Sequence, residues 1–194
     1  MARTKGYPEA LEKKLRDQRY YPRDDSNPEF LKNVKGISRT IAHMCYQCGT
    51  CTGSCPSAPR STYRIRKFMR RAVLGLENEA LTDPDLWLCT TCYSCTDRCP
   101  RDIAPTDVIM AMRNLAFKRD IIPVNFLKTV QAIYSSGHGV PNNDVNRAAR
   151  EKLGLTRDPP TTHMYPEYIK GIQTILNHYK LKANADRIVK EREG

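Results

Sequence analysis

All eight cysteines of this 194-residue chain lie in two runs, "CYQCGTCTGSCP" at 45–56 and "CTTCYSCTDRCP" at 89–100. Both follow the rule C-x2-C-x2-C-x3-C-P, so each cysteine of the first run has a counterpart 44 positions later. Three uses compete for thiols at this spacing. Structural zinc takes two separated C-x2-C pairs, often about 15–20 residues apart, whereas each run here already holds four ligands. Disulfides suit an oxidising compartment, yet "MARTKGYPEALEKKLRDQRYYPRDD" is charged throughout and has no apolar export signal. The spacing favours the third use, since it is the bacterial-type pattern of a [4Fe-4S] cluster.

Geometry sets the expected ligand sets. Cysteines at i, i+3 and i+6 can wrap three corners of one cube, while the fourth, followed by proline, leaves the loop and reaches another iron. In two-cluster proteins that iron belongs to the other cluster. The expectation is therefore two [4Fe-4S] clusters, one held by Cys45, Cys48, Cys51 and Cys99, the other by Cys89, Cys92, Cys95 and Cys55. No catalytic residue is expected.

The elements that must position these thiols read as helices. Between the runs, "RSTYRIRKFMRRAVLGL" spaces Ile65, Phe68, Met69, Ala72 and Val73 along one helical face. Asp83 and Pro84 offer the cap and first turn of a short helix leading into Cys89. Val108, Ala111, Met112, Leu115 and Ala116 predict a helix over 106–119. Pro123 opens another whose apolar face is Phe126, Leu127, Val130, Ile133 and Tyr134. Upstream, a short helix is expected at 8–19 and a second at 28–34, with Asn27 as cap. Downstream, a helix at about 143–153 stops at Gly154. A last one, near 165–180, sets Tyr168, Ile172, Ile175, Leu176 and Tyr179 on one side. No alternating strand of useful length occurs, which predicts an all-α fold. Its parts are an N-terminal arm at 1–40, a helical di-[4Fe-4S] ferredoxin domain at 41–120 and a C-terminal helical extension at 121–194 suited to partner docking. No stretch reaches the ~18 apolar residues of a membrane span, and the chain is expected to be cytoplasmic.

The formal net charge is +11, which two anionic clusters would lower to about +7. Residues 60–71 hold six cations and no acid. A solvated face, an acidic partner or compensation of cluster charge each accounts for them. Nucleic-acid binding is disfavoured, because no aromatics interleave with the charges for base stacking. His43, His138, His163 and His178 are scattered without metal-like spacing. His43 stands near enough to Cys45 in sequence to tune a cluster by hydrogen bonding, and Tyr46 and Trp87 are placed to shield clusters from water.

The runs, read as "MCYQCGTCTGSCP" and "LCTTCYSCTDRCPRDI", resemble the C subunit of archaeal, methanogen-type heterodisulfide reductase, and the helical module resembles part of the iron-sulfur subunit of succinate dehydrogenase. The resemblance is strongest over 41–119 and weaker at "VPNNDVN" and "EKLGLTRDPPTT". It implies an electron-transfer protein between a flavin-bearing, bifurcating A subunit and a catalytic B subunit that reduces the heterodisulfide of coenzymes M and B. A hydrogenase or formate dehydrogenase would feed such a complex. No cysteine remains for the CCG motifs of a catalytic chain, and no G-x-G-x-x-G fingerprint occurs. Equivalent iron-sulfur chains of glycerol-3-phosphate or glycolate oxidising enzymes, or an iron-sulfur protein acting on nucleic acid, are the alternatives.

Overall fold

Asn27 starts the first helix, α1 (Pro28–Ser38), by accepting the Glu29 amide at 3.0 Å, and Pro28 fills the first helical position where no amide is needed. The computed structural model describes residues 26–193, so the helix expected at 8–19 lies outside the described residues. Every regular element among them is helical. The protein is thus all-α, as expected. It divides into two compact units between Arg119 and Asp120.

The first unit contains α1, α2 (Thr50–Gly53), α3 (Ile65–Leu74), α4 (Glu77–Thr82), α5 (Ser94–Asp97) and α6 (Pro105–Lys118). Helix α6 is its hub, packing on α1, α3, α4 and α5 through Val108, Ile109, Ala111, Met112 and Ala116, all fully buried. Phe30 and Val34 of α1 are equally buried, so part of the stretch read as an arm supplies core side chains. The periodicity of α3 is also realised. Ile65, Phe68, Met69 and Ala72 are buried, and the arginines occupy the other faces. Each large apolar side chain so buried contributes about 1.5–3 kcal/mol.

Gly75 ends α3 in the left-handed region at φ 73°, and a Cβ there would stand 2.7 Å from the Asn27 carbonyl. Only glycine lets the start of α1 and the end of α3 approach so closely. The contact is completed by the Asn27 amide donating to the Gly75 carbonyl at 2.8 Å and the Asn27 side chain donating to buried Glu77 at 2.6 Å. Arg119 neutralises Glu77 at 2.7 Å.

The short helix expected after Asp83 is a 3-10 turn over Pro84–Leu88, which Asp83 caps by accepting the Asp85 amide at 2.9 Å. Asp83 also receives Arg71 at 2.5 Å and Lys67 at 2.8 Å. The turn entering the second run is thereby fastened to the helix that follows the first.

The second unit contains α7 (Val124–Ser136), α8 (Asp144–Lys152), α9 (Pro166–His178) and α10 (Leu181–Glu193). Helix α10, not expected from the sequence, packs on α7 and α9, burying Ala185 and Ile188 together with Leu127 and Ile122. The Gln131 side chain donates to Asp186 at 2.7 Å and Arg187 pairs with Asp120 at 2.7 Å. Of the apolar face expected on α7, only Leu127 is buried, and Phe126 is exposed. On α9, Tyr168, Ile175 and Tyr179 are likewise exposed. Among the described residues no helix is long and apolar enough to cross a membrane.

Candidate metal centre

Each cysteine run is built from the same local parts. A 3-10 turn delivers the first cysteine, Ala42–Met44 before Cys45 and Pro84–Leu88 before Cys89. Two left-handed residues then follow at matching positions, Gln47 (φ 64°) and Gly49 (φ 89°) in one run, Thr91 (φ 52°) and Tyr93 (φ 62°) in the other. A single-turn helix carries the third cysteine, Cys51 in α2 and Cys95 in α5. Alternating handedness of this kind curls successive backbone N–H groups toward one side, making an anion-binding concavity of the sort that receives iron-sulfur clusters.

Side chains repeat with the backbone. Cys48 Sγ lies 3.4 Å from Thr50 Oγ1, and Cys92 Sγ lies 3.5 Å from Ser94 Oγ. These hydroxyls hold both thiols below the ordinary cysteine range, favouring the thiolate that binds metal. Thr52 accepts the Arg66 amide at 3.1 Å, and Thr96 accepts the Thr106 amide at 3.4 Å. One threonine per run thus tethers the helix that follows it.

Cys45, Cys48 and Cys51 line a single cavity with Cys99 of the other run, closed by Met69, Ile103 and Pro105 and flanked by the exposed Arg66 and Arg101. Gln47 Nε2 donates to Cys45 Sγ at 3.4 Å. Burial pushes the Cys51 thiol up to about 11, and coordination is what makes a buried thiolate tenable, since a metal deprotonates its thiol outright.

Around the second run the marker is Tyr63. Its hydroxyl is buried without a hydrogen-bond partner. Burial raises this phenol far above its usual value, and Cys89, Cys55 and Cys95 add to the effect, so those three thiols from both runs lie about one buried ring. A buried hydroxyl beside these sulfurs is placed to donate to a thiolate, with Cys89 as the nearest acceptor. Cys95 Sγ meets Thr106 Oγ1 at 3.1 Å, and burial raises this thiol as well.

Among the described residues no three His, Cys, Asp or Glu side chains group closely enough to share one ion, as a mononuclear zinc site would require. Thiolates on a cube stand apart, one at each iron. Tyr46, expected as a shield, is 59% exposed, and Trp87 is half-buried beneath Arg113. His43 is exposed. The enclosing aromatic is instead Tyr63, whose part in the site, like those of Thr106 and Arg113, no local sequence pattern announces.

A family profile described as a 4Fe-4S dicluster domain matches residues 41–103. The eight cysteines within that span provide for two [4Fe-4S] clusters, the protein's cofactors. The chain is 40% identical over 161 residues to the C subunit of the H(2):CoB-CoM heterodisulfide,ferredoxin reductase of Methanothermobacter marburgensis, covering 83% of this chain and 87% of that one. Similarity to the iron-sulfur C subunit of the CoB--CoM heterodisulfide reductase of Methanopyrus kandleri is 40% over 161 residues, with 79% and 84% covered. The corresponding iron-sulfur protein numbered C 2 in Methanocaldococcus jannaschii is 42% identical over 165 residues, with 81% and 88% covered.

Proposed function

This chain belongs to the family of heterodisulfide reductase C subunits, and from that premise we propose that it relays electrons inside a cytoplasmic heterodisulfide reductase complex, from a flavin-bearing A subunit to a catalytic B subunit. The clusters, when bound, supply one-electron carriers. Reduction of the coenzyme M and coenzyme B heterodisulfide to two thiols takes two electrons and two protons, so the chain passes two electrons in sequence and leaves the bond-breaking to its partner.

The supporting observation is the cavity that joins Cys99 to Cys45, Cys48 and Cys51. It favours crossed ligation, in which Cys45, Cys48, Cys51 and Cys99 hold one cluster and Cys89, Cys92, Cys95 and Cys55 hold the other. Ligands exchanged between runs fix the clusters side by side on one rigid body. Gln47, Thr50, Ser94 and Thr106 then serve the sulfurs by hydrogen bonding, which together with burial sets cluster potentials.

Partner surfaces are available on both units. Beside the first run, Arg64, Arg66, Lys67 and Arg70 line a groove of about 590 Å³ suited to an acidic protein face. In the second unit, the exposed Tyr168, Ile175 and Tyr179 of α9 suit apolar docking. A hydrogenase or formate dehydrogenase would supply the electrons.

The anaerobically purified chain should be reduced by dithionite, followed by loss of visible absorbance, and should not turn over the heterodisulfide until the catalytic partner is added. Turnover of the heterodisulfide by the chain alone would overturn the relay assignment.

A further inference from the structure

Arg113 stands out among the cations of the unit that holds the cysteines because it reaches the backbone of a cysteine from a half-buried position. It projects from α6, packs its guanidinium over the Trp87 ring at 5.5 Å, donates from Nε to the Leu86 carbonyl at 3.1 Å, and donates from Nη2 to the Cys89 carbonyl at 2.7 Å. No carboxylate pairs with it through any described hydrogen bond or ion pair, although Lys67, Arg71 and Arg119 of the same unit each have one. Such desolvation would be costly for a cation serving only to hold two carbonyls. A negatively charged neighbour within the protein offsets it, and the group close at hand is Cys89, whose carbonyl already takes the Nη2 hydrogen bond.

We propose that Arg113 sets the reduction potential of the cluster held at the second cysteine run, its half-buried positive charge against Cys89 making that cluster easier to reduce. The inference rests on the ligand reading above, in that Cys89 must bind the cluster. Reduction adds one electron, and hence one negative charge, to a site walled by Tyr63 and Cys95. In a poorly solvated surround that extra charge is disfavoured, and a fixed cation nearby offsets the penalty. Guanidinium suits the task because it stays charged at any working pH and its planar fork serves two carbonyls at once. The first run has Arg66 and Arg101 for company, but both are exposed, where water and salt screen them.

The test is an EPR-monitored redox titration of the anaerobically purified, iron-loaded chain and its Arg113 variants, with the first cluster as internal reference. In R113Q the equilibrium constant for reducing the second cluster should fall at least about tenfold, about 59 mV for one electron, while the first cluster stays within about twofold of wild type. R113K, which keeps the charge but not the fork, should fall between the two. Direction separates charge from scaffolding. A merely structural arginine, once lost, admits water, which stabilises the reduced and more negative cluster and raises the potential. A second-cluster potential in R113Q that is unchanged or higher overturns the proposal. Where R113Q fails to hold the cluster, the equally neutral R113M is titrated in its place, and a second-cluster potential equal to or above wild type overturns the proposal. Cys89→Ala is measured alongside, because full iron content in that variant would mean that the ligand reading, rather than the role of Arg113, is at fault.

Discussion

The two cysteine runs share a backbone and differ in their surroundings. At matching positions they have the same turn, the same pair of left-handed residues, the same hydroxyl beside the second thiol and the same threonine tether. Beyond that they diverge. The third cysteine of the first run is only partly buried and lines a cavity flanked by the exposed Arg66 and Arg101, whereas that of the second is buried against Thr106, in surroundings that include Tyr63 and Arg113. Repetition within the chain supplies the means of holding a cluster, and the unrepeated helices around each copy adjust it. Two carriers of the same type can then differ in potential and in access to partners, which would suit the relay proposed above.

The strongest test breaks the pairing between runs. Cys99→Ala should abolish the cluster whose other ligands are Cys45, Cys48 and Cys51, and iron should drop from about eight to about four per chain. The EPR signal that remains should be the one abolished by Cys92→Ala. If the two variants instead lose the same cluster, each run binds its own and the crossing is wrong. Next in size is Phe68→Ala. Phe68 is fully buried on α3, its ring 5.8 Å from that of Tyr63 and flanked by Lys67 and Arg71. Because α3 packs on α2 as well as α6, the truncation strikes the platform common to both runs. It should cost about 3–5 kcal/mol and make both clusters labile together, measured as parallel bleaching on warming. Loss of one cluster well before the other would show that the platform is not shared.

Asp83 offers a milder and pH-explicit version of the same question. Burial acts to raise its carboxyl, but hydrogen bonds from Lys67 and Arg71 prevail and hold it below the usual carboxylate range. A carboxyl lowered in the folded state contributes stability that is complete above its unfolded pKa of about 3.9 and is lost only as pH falls through the lower folded value. Asp83→Asn should therefore cost about 1–2 kcal/mol, and the decrement in thermal midpoint should be constant from about pH 5 to pH 8. A decrement that changes across that window would assign the linkage to another group.

How much of this was legible in the sequence follows from the range over which each feature acts. The cysteine register and the faces of α3 and α6 are local and periodic, so they could be read directly. Helix α10 could not, because "LKANADRIVKERE" buries chiefly Ala185 and Ile188 and is otherwise polar, held by pairs such as Gln131 with Asp186 that are 55 positions apart. The faces of α7 and α9 have the right spacing for burial, yet of their apolar residues only Leu127 is buried, since periodicity reports that a face is apolar and not what covers it. Arg113 meets Leu86 and Cys89 across 27 and 24 positions, and nothing in its own neighbourhood distinguishes it from a surface arginine. Tyr63 was hidden similarly, within a stretch dominated by charge.

The smallest expected effect is also the most direct comparison of the two runs. Gly49 and Tyr93 occupy matching places in the repeat, and both start their short helices from the left-handed region, at φ 89° and φ 62°. That region costs a residue with a Cβ about 1–2 kcal/mol, so the second run carries a strain that the first avoids. A Cβ added at Gly49 would meet only the end of the Arg66 side chain at 3.5 Å, an ordinary contact. Gly49→Ala therefore tests the backbone alone. It should destabilise the loaded protein by about 1 kcal/mol, the left-handed cost less what the stiffer unfolded chain returns. Tyr93→Gly relieves the strain, but it loosens the unfolded chain and removes the covered part of a ring that is 46% exposed, so the effects oppose one another. Its net effect should stay within about 0.5 kcal/mol of zero. Thermal midpoints of the two loaded variants provide the measurement. Equal losses in both would mean that Tyr93 holds its run by side-chain contact, and that the likeness of the two runs ends closer to the sulfurs than their backbones suggest.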